Sequence, residues 1–211
     1  MDGIRISWAI EMAQSEILLV TLDVSRILEG LAVPYFIGGS MASSVHGVPR
    51  STQDVDLVAD LRMEHVEPLS AALGKAYYHD LDLMREAVRR KGSFNLIHIV
   101  SVFKVDVFVL EDNAFSREAM NRRQLISVGD DALANLWFCS PEDTVIQKLH
   151  WYRLGGGVSD RQWGDVLGIL KVRRAHGPLN IDYMKRCSAA LGVEDLLKEA
   201  FLQAGICEPG Q

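Results

Sequence analysis

Two aspartates in an apolar segment are the residues of this chain best suited to chemistry. Asp54 and Asp56 lie two positions apart among valine and leucine. Because a strand repeats every two residues, both side chains are predicted to project from one face, roughly 6–7 Å apart. Two such carboxylates repel each other unless a cation lies between them, and their hard oxygen atoms suit Mg²⁺. The pair therefore predicts a divalent-cation site; a solvated strand end or a structural cation site is the alternative.

A third acid lies further along the chain. Asp106 interrupts a segment that is otherwise apolar from Val105 to Val109, where an unpaired charge would be costly. It can complete a three-acid site, either as a metal ligand or as the base that takes the proton of an attacking hydroxyl. The alternative is an ion pair with Lys104, which the two-residue spacing places on the same strand face.

The segment Gly38-Gly39-Ser40 has the character of a phosphate-binding turn. It follows a short apolar run and opens a predicted helix. The first amides of a helix lack partners within the helix and attract phosphate oxygens, while glycine permits close approach to the backbone. Taken alone, the same three residues are more typical of an ordinary strand-to-helix turn with a serine cap. Together with Asp54 and Asp56 at this distance along the chain, they favour phosphate binding.

Arg50 and Thr52 are predicted to share the strand face of Asp54. Arg50 either binds phosphate through two parallel hydrogen bonds or balances the acidic residues. His46, at the end of the predicted helix, is expected to cap or pack rather than to catalyse.

In this order and spacing, the residues resemble the nucleotidyltransferase superfamily that includes DNA polymerase β. The resemblance is greatest to small prokaryotic members, the AbiEii-type toxin-like and antibiotic-modifying branches, although the spacer before the paired aspartates is at the long end of the family's range. The matching residues are Gly38, Gly39, Ala42, His46, Gly47, Arg50, Thr52, Asp54 and Asp56.

The resemblance implies a metal-dependent site. Asp54, Asp56 and Asp106 would be both the catalytic residues and the ligands of Mg²⁺ or Mn²⁺. The residues that would contact the nucleotide in the first half of the chain are Gly38, Gly39, Ser40, Arg50 and Thr52.

A second informative region begins at Ser140, whose capping pattern predicts a helix start. Lys148 lies at the margin of this helix's buried stripe, and another capping pattern at Ser159 begins the next helix. By the resemblance, Lys148 would reach the triphosphate, and Asp160 would support Lys148 or the metal site. Alternatively, Lys148 extends from the edge of the core and Asp160 favours a helix N-terminus.

The element pattern predicts an α/β (α+β) protein with a small mixed β-sheet flanked by helices, the nucleotidyltransferase fold, and a mainly helical carboxy-terminal region. We expect a core at residues 1–112 and a helical region at 113–211 that completes the site. Helices are predicted at residues 9–31, 40–46, 64–73 and 81–90, and after residue 140. Strands are predicted at residues 35–37, 55–59, 94–100, 103–110, 124–128 and 135–139.

Composition narrows the class of protein. The 211 residues carry a net charge of −6, which is not the signature of a nucleic-acid binder. The basic cluster Arg85, Arg89, Arg90 and Lys91 is either a solvated face or a site for an acidic acceptor. Three scattered cysteines, no leader pattern and no membrane-length apolar run predict a cytoplasmic protein.

The predicted activity is transfer of a nucleoside monophosphate from a nucleoside triphosphate such as ATP to a hydroxyl acceptor. The first expectation for the acceptor is RNA such as tRNA, or protein, in a toxin-like role. The alternatives are a small-molecule, aminoglycoside-like acceptor, or a nucleotide-binding antitoxin or partner protein with little turnover. An antitoxin partner or a homo-oligomer is also compatible with the resemblance.

Overall fold

The computed structural model describes residues 16–52, 54–128 and 135–206. The helices in these residues are α1 (Glu16–Gly30), α2 (Gly39–His46), α3 (Met63–Leu73), α4 (Leu81–Arg90), α5 (Ala114–Arg122), α6 (Pro141–Leu154), α7 (Asp160–His176), α8 (Ile181–Ala190) and α9 (Glu194–Ala204). The strands are β1 (Tyr35–Ile37), β2 (Asp54–Ala59), β3 (Tyr77–Tyr78), β4 (Ser93–His98), β5 (Lys104–Val109), β6 (Gln124–Ser127) and β7 (Asn135–Phe138). Of the helix predicted at residues 9–31, the part at 9–15 lies outside the described residues.

The seven strands form one mixed sheet in the order β3-β4-β5-β2-β1-β7-β6. Strands β2 and β5 run parallel, as do β1 and β7, whereas the other neighbouring pairs are antiparallel. The predicted fold class, a mixed sheet flanked by helices, is confirmed.

Alternating burial determines which sheet face is available for chemistry. In β2, Val55 and Leu57 are completely buried, and in β5, Val105 and Val107 are buried in the same way. Helix α1 contacts β2, and α4 contacts β4 and β5. Because side chains alternate along a strand, the polar residues of β2 and β5 lie on the opposite face from this core.

The chain groups into two compact units. The first comprises the described residues of Met1–Gly38 and Thr52–Phe138 and contains the whole sheet; the second comprises those of Gly39–Ser51 and Cys139–Gln211 and is helical. These limits differ from a single boundary after residue 112, because α2 groups with the carboxy-terminal helices and because β6 and β7 belong to the sheet.

In the second unit, Gly47 allows the end of α2 to lie against the backbone of α7. A Cβ atom at Gly47 would lie 2.8 Å from the main-chain nitrogen of Ile169 and 3.0 Å from the carbonyl oxygen of Ser43. Both are backbone atoms of helices, so neither can move aside as a flexible side chain can.

Replacing Gly47 with alanine is therefore expected to lower the free energy of unfolding by about 3 kcal/mol, because the added methyl group overpacks the contact. Urea denaturation measures the change. Gly164→Ala in α7 is the matched control, since nothing lies within 4 Å of a Cβ there. That change should raise stability by about 1 kcal/mol through helix propensity. Equal effects of the two substitutions would contradict the packing account.

None of the helices in residues 16–52, 54–128 and 135–206 combines the length and apolar character that crossing a membrane requires.

Candidate active site

The paired aspartates lie where the sequence places them, on one face of β2. Asp54 and Asp56 are half-buried and alternate with buried residues of the core face. In the parallel pairing of β2 with β5, Asp56 is the register partner of Asp106, and Asp54 is the register partner of Lys104. Neighbouring strands lie about 4.8 Å apart. The sheet therefore brings three carboxylates and one ammonium group together on the face opposite the core.

Lys104 provides the positive charge in this acidic cluster of Asp54, Asp56 and Asp106. Its Nζ lies 2.7 Å from Oδ2 of Asp106. The hydrogen bond to Asp106, together with attraction to all three carboxylates, raises the pKa of Lys104 above its usual range against the opposing effect of desolvation. The structure thus contains the ion pair between Lys104 and Asp106 that the sequence analysis gives as the alternative role of Asp106.

The three carboxylates are of a type and in a register that suit a divalent cation. The Asp106 carboxylate, however, is ion-paired with Lys104. Among the described residues, no group of three or more histidine, cysteine or acidic side chains is placed to hold a metal ion. Carboxylate oxygens remain the ligands that Mg²⁺ prefers, and Asp54 and Asp56 supply them from one strand. Their donor type therefore fits a divalent ion, whereas Asp106 is ion-paired with Lys104.

Thr52 and Gly38 form hydrogen bonds to the residues of the aspartate pair. Oγ1 of Thr52 lies 3.0 Å from the carbonyl oxygen of Asp54 and 3.2 Å from its Oδ1, so it steadies that residue. The Gly38 amide donates to the carbonyl oxygen of Asp56 at 2.8 Å. Because this amide extends the pairing of β1 with β2, it does not point to a ligand.

In the second unit, α2 begins with the two residues that follow Gly38. Gly39 has a φ of +52°, in the left-handed region that favours glycine. Its carbonyl oxygen accepts a hydrogen bond of 2.8 Å from Ser43. Ser40 is half-buried in the first turn, and its hydroxyl oxygen accepts a 2.8 Å hydrogen bond from Nη2 of Arg50.

One carboxylate in the second unit holds two cations. Asp165 accepts two hydrogen bonds from Arg50, from Nε at 2.8 Å and from Nη2 at 2.7 Å. It also accepts a 2.8 Å hydrogen bond from Nζ of Lys148. The side chains of Asp165 and Lys148 are almost fully buried, at 7% and 11% exposed. We call Ser40, Arg50, Lys148 and Asp165 the cation cluster.

Opposing effects act on the carboxyl group of Asp165. Burial alone would raise its pKa, but the hydrogen bonds from Arg50 and Lys148 outweigh burial and hold the pKa below its usual range. Asp165 is therefore ionised at neutral pH, and it fixes the orientation of both cations. The backbone of Arg50 is held as well, because its amide and carbonyl groups both lie within hydrogen-bond distance of the Ser44 hydroxyl.

The carboxylate that contacts Lys148 is Asp165 rather than Asp160. Asp160 is the exposed first residue of α7, next to the Ser159 cap. Five residues along a helix turn the side chain by about 140°, so the two aspartates point in different directions. The sequence does carry a signal for Asp165, since this acid directly precedes an apolar segment in which Val166, Ile169 and Leu170 are buried.

His46 is a buried structural residue. Its Nε2 donates a 2.7 Å hydrogen bond to the carbonyl oxygen of Cys139, which precedes α6. Burial lowers the pKa of His46 from 6.5 to about 4, even though the bond to Cys139 favours the charged form. The ring is therefore neutral in the folded protein at neutral pH, in agreement with a packing role.

A pH-dependent loss of stability follows from His46. As the pH falls from 7 to 5, the unfolded chain binds a proton on this residue while the folded chain does not, so the free energy of unfolding should fall by about 2 kcal/mol from this residue. Urea denaturation at both pH values tests this. His46→Gln should reduce the difference by that amount, whereas the exposed His176→Gln should not. Identical pH dependence in His46→Gln and the unmodified protein would contradict the assignment.

The basic cluster seen in the sequence is paired internally. Arg85 lies 2.7 Å from Glu67 and 2.8 Å from Asp82. Both Arg89 and Arg90 pair with Glu86, and Lys91 lies 3.4 Å from Asp112. These contacts are those of a solvated face with its own counter-charges, not of an open cationic surface.

Comparison with solved structures identifies the architecture. The antibiotic-resistance factor ANT(2'')-Ia in solution has a TM-score of 0.53 at 15% identity, over 88% of this chain and 96% of that one. Its crystal structure with adenylyl-2''-tobramycin gives 0.55 at 15% identity, over 84% and 98%. An antigenic nucleotidyltransferase-like protein from Paracoccidioides brasiliensis gives 0.54 at 16% identity, over 89% and 93%.

The chain has the nucleotidyltransferase fold. No protein-family model matches it, and neither does any curated protein. At 15–16% identity these likenesses establish the nucleotidyltransferase fold and leave the AbiEii-type resemblance as a prediction. Fold alone does not determine function, which depends on the residues of the site.

Proposed function

We propose that the protein is an enzyme that transfers a nucleoside monophosphate from a nucleoside triphosphate to a hydroxyl group. The observation that carries the proposal is the register of β2 with β5, which aligns Asp54, Asp56 and Asp106 on one sheet face in a nucleotidyltransferase fold. Three carboxylates carry more negative charge than the single ammonium group of Lys104 compensates, and a divalent ion would compensate the rest.

In this proposal the acids of the sheet carry out the transfer. Asp54 and Asp56 would hold a divalent ion, Mg²⁺ or Mn²⁺, and the ion would supply neutralisation of triphosphate charge and polarisation of the α-phosphate. The acceptor oxygen forms a bond to the α-phosphorus while the bond to the β-phosphate oxygen breaks, and pyrophosphate leaves. Asp106 accepts the proton of the attacking hydroxyl. Thr52 keeps Asp54 in place through its hydroxyl group.

The cation cluster supplies the proposed phosphate contacts. The guanidinium of Arg50 already binds two oxygens of a carboxylate, and the same donor geometry suits phosphate. The ammonium group of Lys148 would stabilise the negative charge that develops on the departing pyrophosphate. The hydroxyl of Ser40 and the backbone at Gly39 would bind phosphate oxygens. Asp165 then acts as a positioning residue, because it orients both cations.

The first candidate for the acceptor is RNA such as tRNA, or protein, in a toxin-like activity. A second candidate, a small molecule with hydroxyl groups, is favoured by the internal pairing of Arg85, Arg89, Arg90 and Lys91 and by the net charge of −6. Both features are unfavourable for an RNA phosphate backbone. The crystal structure of ANT(2'')-Ia in complex with adenylyl-2''-tobramycin shows a small molecule that carries an adenylyl group bound to a protein of this fold.

The test is incubation with each α-³²P-labelled nucleoside triphosphate and Mg²⁺, in the presence of tRNA, cellular protein or aminoglycosides. Label should appear in one acceptor class and be absent with Asp54→Asn. Calorimetry on the same samples measures triphosphate binding. Binding without label in any class would favour the antitoxin or partner alternative, and the absence of both would overturn the proposed function.

A further inference from the structure

One strand near the border of the sheet is only partly paired. The border strand β3 has two residues, and they pair with Ile97 and His98 at the end of β4. The earlier part of β4, Ser93–Leu96, therefore lies at the outer edge of the sheet, and we call it the β4 edge. An unpaired edge presents main-chain groups to which another chain can add a strand.

The main-chain groups of Ser93 and Asn95 point outward from the β4 edge. The amide of His98 donates a 2.9 Å hydrogen bond to the carbonyl oxygen of Phe103, which directly precedes β5. Because these groups alternate between the two sides of an antiparallel strand, Ser93 and Asn95 direct their N–H and C=O groups away from β5. Among the residues that the structure describes, neither has a main-chain hydrogen bond on that outer side.

A groove of about 440 Å³ lies between the β4 edge and α4. Tyr78 and Leu83 line this groove, and they are 65% and 62% exposed. Large apolar side chains beside unpaired main-chain groups favour association with another polypeptide. An added strand would satisfy the main-chain groups and cover the apolar side chains together.

The charges along α4 indicate which polypeptide fits. Asp80 and Asp82 lie at the beginning of the helix, and Arg89 and Arg90 lie in its last turn. The two arginine side chains are 61% and 80% exposed, so their contacts with Glu86 leave them accessible to a partner. A second α4 that runs antiparallel to the first would place acids opposite arginines at both ends and would oppose the two helix dipoles.

A twofold axis perpendicular to the sheet produces this arrangement. The axis makes the two β4 edges antiparallel, and because each α4 contacts its own β4, the two helices become antiparallel as well. Ser93 of each copy then lies opposite the partner subunit's Asn95, and each of these two pairs can exchange both of its main-chain hydrogen bonds. Since β4 begins at Ser93, the pairing ends before the stretch that β3 occupies.

We propose that the protein forms a homodimer in which the β4 edges of two copies pair and join the two sheets into one. The reciprocal pairing of Ser93 with Asn95 and the opposite charges at the two ends of α4 select a second copy of this chain as the occupant. The interface does not depend on the proposed nucleotidyl transfer.

Sedimentation equilibrium of the full chain measures the dissociation constant of the dimer. In Ser93→Pro, the proline has no N–H to donate across the interface, while the hydrogen bonds from β4 to β5 are kept because this amide faces outward. The dissociation constant should rise about tenfold or more, since one hydrogen bond is lost from each copy. Ser93→Ala keeps the amide and is the matched control, which should leave the constant unchanged.

Arg90→Glu tests the charge pairing without a change in the backbone. Acidic residues would then face each other across the paired helices, and the dissociation constant should also rise about tenfold or more. Lys171→Glu makes the same change in charge at an exposed position of α7 and should have little effect.

Amide exchange followed by NMR identifies the paired edge even if Ser93→Pro does not fold. In the dimer the amides of Ser93 and Asn95 should be protected, and dilution to the monomer should expose them, whereas the inward amides of Phe94 and Leu96 stay protected. A protein that remains monomeric at every attainable concentration would overturn the proposal and leave the β4 edge to a strand of another protein. A dimer in which the Ser93 and Asn95 amides exchange freely would also overturn it.

Discussion

Asparagine in place of Asp54 or Asp56 is expected to reduce nucleotidyl transfer roughly 1,000-fold or more while the fold remains intact. Asparagine keeps the shape of the side chain but lacks the charge that holds a divalent ion. A metal ion contributes several kcal/mol of transition-state stabilisation, and each 1.4 kcal/mol is about a factor of ten in rate. Initial rates of label transfer at saturating triphosphate measure the loss.

Thermal unfolding separates this chemical effect from damage to the fold. Both aspartates are half-buried on the sheet face opposite the core, and removal of one negative charge relieves repulsion in the metal-free protein. The melting temperature of each variant in EDTA should therefore equal or exceed that of the parent. Glu64→Gln, an exposed charge removal in α3, is the matched control. Transfer by Asp54→Asn within tenfold of the parent would contradict the proposed role.

The second large effect is expected at Asp165. Asparagine there leaves Lys148 and Arg50 without the carboxylate that pairs with both, and the Asp165 and Lys148 side chains are almost fully enclosed. Removing one partner of a buried ion pair costs about 3–5 kcal/mol, because the remaining charge is left desolvated. Urea denaturation at pH 7 should show a loss of this size.

Asp160→Asn is the matched control for Asp165→Asn, since it makes the same change on the same helix at an exposed position. Its cost should be about 1 kcal/mol or less, from the helix dipole. The pKa of Asp165 is lower in the folded protein than in the unfolded chain. The contribution of Asp165 to the free energy of unfolding is therefore complete above its unfolded pKa and is lost as the pH falls through its folded pKa. Equal costs for the two substitutions would show that the cation cluster does not stabilise the protein.

The face shared by Asp54 and Asp56 could be predicted from the sequence because it depends only on the two-residue repeat of a strand. The pair between Lys104 and Asp106 could be anticipated as an alternative for the same reason. The alignment of Asp56 with Asp106 could not, because it depends on the parallel register of strands that are distant in the chain.

The cation cluster shows a different limit of sequence analysis. Arg50 and Asp165 are 115 positions apart, and only tertiary packing of α2 and its following loop against α7 brings them together. Helix periodicity specifies the direction of Asp165 relative to Asp160, but not which element each one meets. The division of the chain into two units could not be predicted from the sequence for the same reason, since α2 is close in sequence to the sheet but packs with later helices.

The most direct test of the proposed function follows the two ends of the triphosphate in parallel reactions. Triphosphate labelled at the α-phosphate or at the γ-phosphate is incubated with Mg²⁺ and the acceptor class that takes up label. The account predicts that the acceptor gains the α label, never the γ label, and that one pyrophosphate is released for each nucleotide transferred. Incorporation of the γ label, or incorporation of the α label that is unchanged in Asp54→Asn, would contradict it.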